Sequence, residues 1–269
     1  MTFAILFLAN SVTIIAQTPK LDNLRTKANQ GDAASQYDLA VCYYNGDGVT
    51  KDYTEAAKWW RKAADQGDAD AQFHLGGLYI EGQGVSENYA EAAKWMRKAA
   101  DQGNADAQGV LGSLYEESND YVEAAKWYRK AADQGEVHAQ NNLGSLYHNG
   151  QGVTKDYAEA AKWWRKAADQ GIANAQVSLG VCYIYGQGVT KDYAEAVKWF
   201  HKAADQDNAV AQYNLGVCYV NGDGVVKDYT EAEKWLRKAA NQGYADAQAA
   251  LDARPKGTAL WQLKITPRH

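Results

Sequence analysis

The chain holds 269 residues, 46% of them hydrophobic, with a formal net charge of −5. That charge is too mild for a nucleic-acid binder, which would show a basic stripe, and for an acidic disordered tail. The length suffices for one or two ordinary domains, but the internal repetition described below makes one elongated array without a single central core.

From the start of the chain, residues 1–16 read M-T-F-A-I-L-F-L-A-N-S-V-T-I-I-A, uncharged and too short to span a membrane. This is the pattern of a signal peptide's apolar core, with Ile14 and Ala16 leading to a cleavage point, so the mature chain is expected to begin at Gln17 or close to it. The protein is then secreted or periplasmic; without cleavage it is cytoplasmic, and an integral membrane span is not expected. A hydrophobic helix packed on the first repeat is the alternative. Residues 17–31 align with the second half of the Trp-containing helix of the later units but carry Leu24 and no Trp. They read as an N-terminal capping half-repeat, because the outer face of a terminal repeat meets water.

Residues 32–253 form six repeats and a closing half-helix. A marker Trp recurs at Trp59, Trp95, Trp127, Trp163, Trp199 and Trp235, at spacings of 36, 32, 36, 36 and 36 residues, the signature of stacked supersecondary units. The stretch from Asp52 to Gly84 shows how one unit builds itself. Asp52 is placed to cap a helix whose third residue is Glu55, and Ala56, Trp59, Trp60, Ala63 and Ala64 follow at helical spacing. Gly67 closes that helix, since glycine takes positive φ without a Cβ clash, and a second helix restarts around Asp68 to Asp70. Its apolar set is Ala71, Leu75, Leu78 and Tyr79, and Gly82 and Gly84 end it. Each unit is therefore a helix hairpin. Gly76, Gly112, Gly144, Gly180 and Gly216 fall inside the second helix, where glycine costs roughly 1 kcal/mol against alanine. Close helix approach, with a neighbouring Trp or Tyr filling the space, is the expected offset.

The third repeat departs from the pattern: the Gly-x-Gly-Val loop is gone and Glu116-Glu117-Ser118-Asn119 stands in its place. A shortened surface loop leaves the helices in register, so a local gap on one edge is expected. Pro255 and Gly257 stop the last helix. The tail, residues 254–269, is weakly basic and alternates Trp261, Leu263 and Ile265, as a cover along the last helix pair would; disorder is the alternative.

Few residues invite chemistry. The five histidines, His74, His138, His148, His201 and His269, fall at different places in the repeat and no pair has a metal-ligand spacing, so neither a metal nor a cofactor is expected. Cys42, Cys182 and Cys218 share one repeat position. Packed helices hold such positions about 9 Å or more apart, beyond the roughly 7 Å Cα limit of a disulfide, so they read as small core residues. Glu55 and Lys58, three apart on a helix, read as an exposed ion pair rather than a catalytic dyad. The Gly-x-Gly loops follow helices, not strands, and lack the third Gly and the acidic partner of a nucleotide fold. Most Trp and Tyr sit at fixed repeat positions, where a core wants them.

The recurring pattern A-Q-x-x-L-G-x-x-Y-x-x-G-x-G-V-x-x-D-Y-x-E-A-x-K-W-x-x-K-A-A-x-Q-G resembles the Sel-one-like repeat family, relatives of the tetratricopeptide repeats, from about Leu21 to Ala253. The resemblance implies an all-α, right-handed α/α superhelical solenoid of helix-hairpin repeats, acting as an adaptor through a concave face lined by one helix of each pair. It implies no cofactor and, in most members, no catalysis. A cysteine-rich secreted branch pairs cysteines within each repeat, and this chain lacks the second member of every pair.

Function must lie where the units differ. By analogy with the tetratricopeptide helix, the groove positions are those equivalent to Asp70, Phe73, Gly77, Ile80 and Glu81, which share one face of the second helix. Across the units they supply a candidate partner-binding set of Tyr37, Tyr44, Asp70, Phe73, Ile80, Glu81, Asp106, Glu116, Glu117, Asn141, His148, Tyr185 and Tyr213. The acids of this face have no Lys or Arg among them, while Lys58, Arg61, Lys62 and their equivalents lie on the other helix. The leading expectation is a monomeric protein–protein interaction scaffold, not an enzyme, whose protein or peptide partner is basic where it meets the groove. Two alternatives stay open. One is a weak hydrolase of the β-lactamase-like type ascribed to cysteine-rich relatives, although no Ser-x-x-Lys motif is present. The other is a glycan or cell-wall binder using Tyr37, Tyr44, Phe73 and Tyr213.

Overall fold

The structure, a computed structural model, describes residues 20–253 and 263–266. The signal-peptide reading of residues 1–16 and most of the tail fall outside the described residues. Helix α1 covers 20–29. Then come α2 (Ala33–Asn45), α3 (Tyr53–Asp65), α4 (Ala69–Glu81), α5 (Tyr89–Asp101), α6 (Ala105–Glu117), α7 (Tyr121–Asp133) and α8 (Val137–Asn149). The array continues with α9 (Tyr157–Asp169), α10 (Ala173–Tyr185), α11 (Tyr193–Ala204), α12 (Ala209–Asn221), α13 (Tyr229–Asn241) and α14 (Ala245–Asp252). Among the described residues there is no strand. The fold is a helical solenoid of repeated hairpins, divided between Leu114 and Tyr115, within α6, into two compact units.

The local rules that built the repeat on paper operate in space. Asp52 accepts from the backbone N–H groups of Thr54 and Glu55, and Asn88, Asp156 and Asp228 cap α5, α9 and α13 the same way. Gly82 closes α4 in the left-handed region at φ 65° and donates to the Leu78 carbonyl. In the first unit Trp59, Trp60, Leu75, Leu78 and Trp95 are buried together; in the second the largest fully buried side chains include Trp163, Tyr128 and Phe200. All six marker Trp residues are buried, none more than 9% exposed.

The helix glycines meet a neighbouring side chain, as close approach requires, but its identity varies. A Cβ on Gly144 would stand 2.7 Å from Cδ1 of Trp164, on Gly180 2.5 Å from Cε1 of Phe200, and on Gly216 2.6 Å from Cγ of Leu236. On Gly76 it would meet flexible Met96 at 3.0 Å. Only one of these four partners is the Trp or Tyr expected.

Two features escaped the sequence reading. The second Gly of four Gly-x-Gly loops, Gly84, Gly152, Gly188 and Gly224, does more than turn the chain: a Cβ on Gly84 would lie 2.2 Å from the Tyr53 carbonyl, and one on Gly188 1.9 Å from that of Tyr157. These loops press on the N-terminus of the preceding first helix. Tyr89, at the start of α5, is 63% exposed. Second, the Gln of the A-Q motif is buried and stitches hairpins. Gln72 Nε2 donates to the Ala64 carbonyl at 3.1 Å, and its Oε1 accepts from Gln102 at 2.8 Å. Gln36, Gln140, Gln176 and Gln212 repeat the same pair of bonds. Each such amide would cost about 1–3 kcal/mol if buried unpaired, which explains why both glutamines of the motif recur together.

Candidate functional site

The candidate residues all lie on second helices, α2, α4, α6, α8, α10 and α12. The cations of the repeat lie on first helices and are engaged there. Lys58 pairs with Glu55 at 2.6 Å, the Arg61 guanidinium donates to the Tyr79 hydroxyl, and Lys62 Nζ sits 3.7 Å from the centre of the Trp59 ring. The second helices α2, α4, α6, α8, α10 and α12 thus carry no Lys or Arg, while the first helices carry cations together with the acids that pair with them.

In the first unit the face is an aromatic cluster rimmed by carboxylates. His74 stacks on Trp60 with centroids 4.7 Å apart and planes 11° from parallel. The Tyr37 hydroxyl meets His74 Nε2 at 3.1 Å, Phe73 meets the His74 ring edge-on at 5.4 Å, and Tyr44 lies 5.3 Å from Trp60. Burial holds the His74 pKa down, against the opposing pull of Asp70, Asp106 and Asp68. The Trp60 indole N–H is buried with no hydrogen-bond partner among the described residues. Asp70, Glu81 and Asp106 are exposed and Ile80 half-buried; Asp70 accepts from Asn104 Nδ2 at 2.7 Å. His74, which spacing alone set aside, is the centre of this cluster; its position beside Phe73 and one repeat from Asp38 carried no signal of the stack.

In the second unit several candidates prove to be structural. Glu116 accepts from the Tyr128 hydroxyl at 2.6 Å, so this carboxylate is tied to α7 rather than offered freely; Glu117 beside it is exposed. Asn141 is buried, its Nδ2 donates to Asn142, and its backbone carbonyl accepts from the Trp164 indole at 3.1 Å. His148 packs against Tyr157 and Trp164, with centroids 5.1 and 5.3 Å away.

Toward the end of the array the face changes character. On α10 and α12 its positions carry Val177, Val181, Ile184, Val217 and Val220, all buried. Tyr213 is only 5% exposed, and Tyr185 is 52% exposed. The reason lies in the tail. Residues 263–266 lie on this face without helical structure: the Tyr185 hydroxyl donates to the Ile265 carbonyl and the Tyr213 hydroxyl to the Lys264 carbonyl, both at 3.1 Å. Ile265 itself is buried in the same apolar cluster. Burial first, then Asp246 and Tyr244, pushes the Tyr213 phenol up to about 12. An open groove at Tyr213 is therefore corrected to a covered one, and the aromatic rings proposed as a sugar platform pack on one another or under the tail.

The three cysteines are free, and burial pushes the thiols of Cys182 and Cys218 up to about 12. Among the described residues no group of three or more His, Cys, Asp and Glu side chains is placed to hold a metal ion. No described helix is long and apolar enough to cross a membrane.

The family model of the Sel1 repeat matches residues 33–68, 69–104, 105–136, 137–172, 173–208 and 209–244, each unit being a second helix with the first helix that follows. A solved Sel1 repeat protein from Oxalobacter formigenes is 35% identical, with a TM-score of 0.72 over 86% of this chain and 96% of its own. A protective antigen of uropathogenic Escherichia coli strains, displaying an SLR fold, is 42% identical with a TM-score of 0.79 over 84% of this chain. The match spans 50% of that protein's length. The pilF structure of Pseudomonas aeruginosa, 19% identical with a TM-score of 0.58 over 83% of this chain and 99% of its own, shares the fold alone. A search of curated proteins finds no match.

Proposed function

Because the chain belongs to the Sel1 repeat family, we propose that it is a protein-interaction scaffold that presents the variable face of its second helices to a protein or peptide. Proteins of this family are generally non-catalytic repeat scaffolds, and we read this chain as one too. The observation that carries the reading is the contrast between fixed and variable positions. The marker Trp and the A-Q glutamines of α2 to α12 repeat and are buried, while Asp70, Glu81, Asp106 and Glu117 vary among units and are exposed. Exposed residues uniformly of one sign create a field that steers a cationic partner. The working form is a monomer, and residues 1–16 direct its export, which an intact mass beginning near Gln17 would support and a cytosolic chain retaining Met1 would overturn.

The test is capture from the native host followed by kinetics with the recovered partner. Reversing Glu81, Asp106 and Glu117 to Lys should slow association and flatten its salt dependence. Unchanged association kinetics would move the site to the first helices.

A further inference from the structure

The contact between residues 263–266 and the face of α12 has the design of peptide recognition. Four successive tail carbonyls accept from four different side chains of the array or its rim: Leu263 from Asn221 Nδ2 at 3.4 Å, Lys264 from Tyr213, Ile265 from Tyr185, and Thr266 from Asn214 Nδ2 at 3.1 Å. Asn214 also accepts from the Thr266 backbone N–H at 3.0 Å, so one fully buried amide side chain holds both main-chain groups of one residue. These bonds read a main chain, not a sequence. Two further contacts read side chains: Ile265 enters the apolar cluster, and the Thr266 hydroxyl meets that of Tyr244 at 3.0 Å.

Of the residues that do this, Tyr185 and Tyr244 are unlike all their repeat equivalents, while Tyr213, Asn214 and Asn221 share their residue type with Tyr37, Asn142 and Asn45. The position of Tyr244 is a capping Asp, Asn or Glu before α2, α4, α8 and α12, whereas Tyr244 makes no cap bond and contacts the tail instead. The position of Asn214 is His74 in α4, inside the aromatic cluster, and Asn142 in α8, which is committed to the Tyr128 hydroxyl. The charge also fits, since residues 254–269 carry Arg254, Lys256, Lys264 and Arg268 with no Asp or Glu, and exposed Asp246 lies beside Tyr213.

We infer that the face of α10 and α12 is a site for an extended, basic peptide with a β-branched apolar residue followed by a hydroxyl residue, and that segment 263–266 is its tethered resident, displaced when a partner's segment of that chemistry enters. A resident at high effective concentration scales the apparent affinity of an incoming peptide by the fraction of time the site is free. The tethered site presupposes the scaffold reading above.

The test uses purified full-length chain and a fluorescent peptide of residues 261–269. Ile265→Asp in the full-length chain frees the site without touching the helices. That variant should bind the peptide at least tenfold tighter than the parent by anisotropy, and a peptide with the same composition in scrambled order should bind at least tenfold more weakly. Adding Tyr185→Phe and Tyr213→Phe, which delete two hydroxyl donors and keep the rings, should weaken peptide binding at least fivefold with an unchanged circular dichroism melt. Equal peptide affinity for the parent and Ile265→Asp, or no binding to either, would overturn the tethered site. So would a dimer by light scattering that dissociates in the Ile265→Asp variant, because it would assign the segment to a second copy. Since no host component is present, these failures leave the scaffold reading intact, and a failed capture from the host leaves the peptide result intact.

Discussion

On α4 the candidate face carries Asp70, Phe73 and Glu81, with both carboxylates exposed; on α12 the equivalent positions carry Val210, Tyr213 and Asn221, and two of these three bind the tail. The scaffold under both faces is the same, with the same caps and the same glutamine pairs. What differs is which side chains the repeat leaves free to vary. In the first unit they make an acidic rim around a His–Trp stack, and in the second an apolar strip with amide and phenol donors that suits an extended chain. Equivalent positions of a repeat thus need not share a task, because stability is set by the fixed positions and their nearest-neighbour interfaces.

The comparison breaks first if the two units do not respond separately. Trp163→Ala removes a ring that is 1% exposed in the second unit and should cost about 3–5 kcal/mol. Hydrogen exchange should show the loss over α8 to α11 and leave α2 to α4 close to the parent. A cost below about 1 kcal/mol, the range of surface changes, would show the core assignment to be wrong.

The helix glycines give the next largest difference. Gly180→Ala drives a methyl into the rigid Phe200 ring and should cost about 1–3 kcal/mol by overpacking. Gly76→Ala meets the flexible end of Met96, and the helix propensity gained, about 1 kcal/mol, should leave it within about 1 kcal/mol of the parent. Urea unfolding of both variants decides, and equal losses would erase the distinction between the two interfaces.

Alkali should act mainly on the second unit. Cys182, Cys218 and Tyr213 are held protonated to about 12 from ordinary values of 9.0, 9.0 and 10.0. The unfolded chain releases these protons first, so the stability they confer is full below about pH 9, the ordinary thiol value, and falls as pH rises towards 12. Burial raises Cys42 and Tyr37 in the first unit in the same direction. The unfolding midpoint of the second unit should fall more steeply between pH 8 and pH 11.5, with the tail contact at Tyr213 lost alongside it. A midpoint flat over that range would contradict the burial of these groups. The smallest effect belongs to the surface: Lys58→Ala removes an exposed pair with Glu55 and should leave the urea unfolding midpoint indistinguishable from the parent's, because solvent screens such a pair.

The hairpins, their caps, the Trp core and the family were legible in the sequence because each depends on residues within a turn or two of helix. Asp52 finds Glu55 three residues on, and Gly82 follows the helix it ends. The candidate face was legible as a set of positions, but not in its condition. Asn141 and Glu116 vary like surface residues yet are buried or bonded, because Trp164 and Tyr128 reach them from neighbouring helices. The Gln72–Gln102 bond joins residues 30 apart, and the Gly84 contact with Tyr53 joins a loop to an earlier helix. The tail is the extreme case, with Tyr185 and Ile265 separated by 80 residues. Periodicity reports the angle at which a side chain leaves its own helix, and that angle the sequence determined by itself. What stands opposite the side chain depends on where the stack and the tail bring a distant segment, and only the tertiary structure decided that.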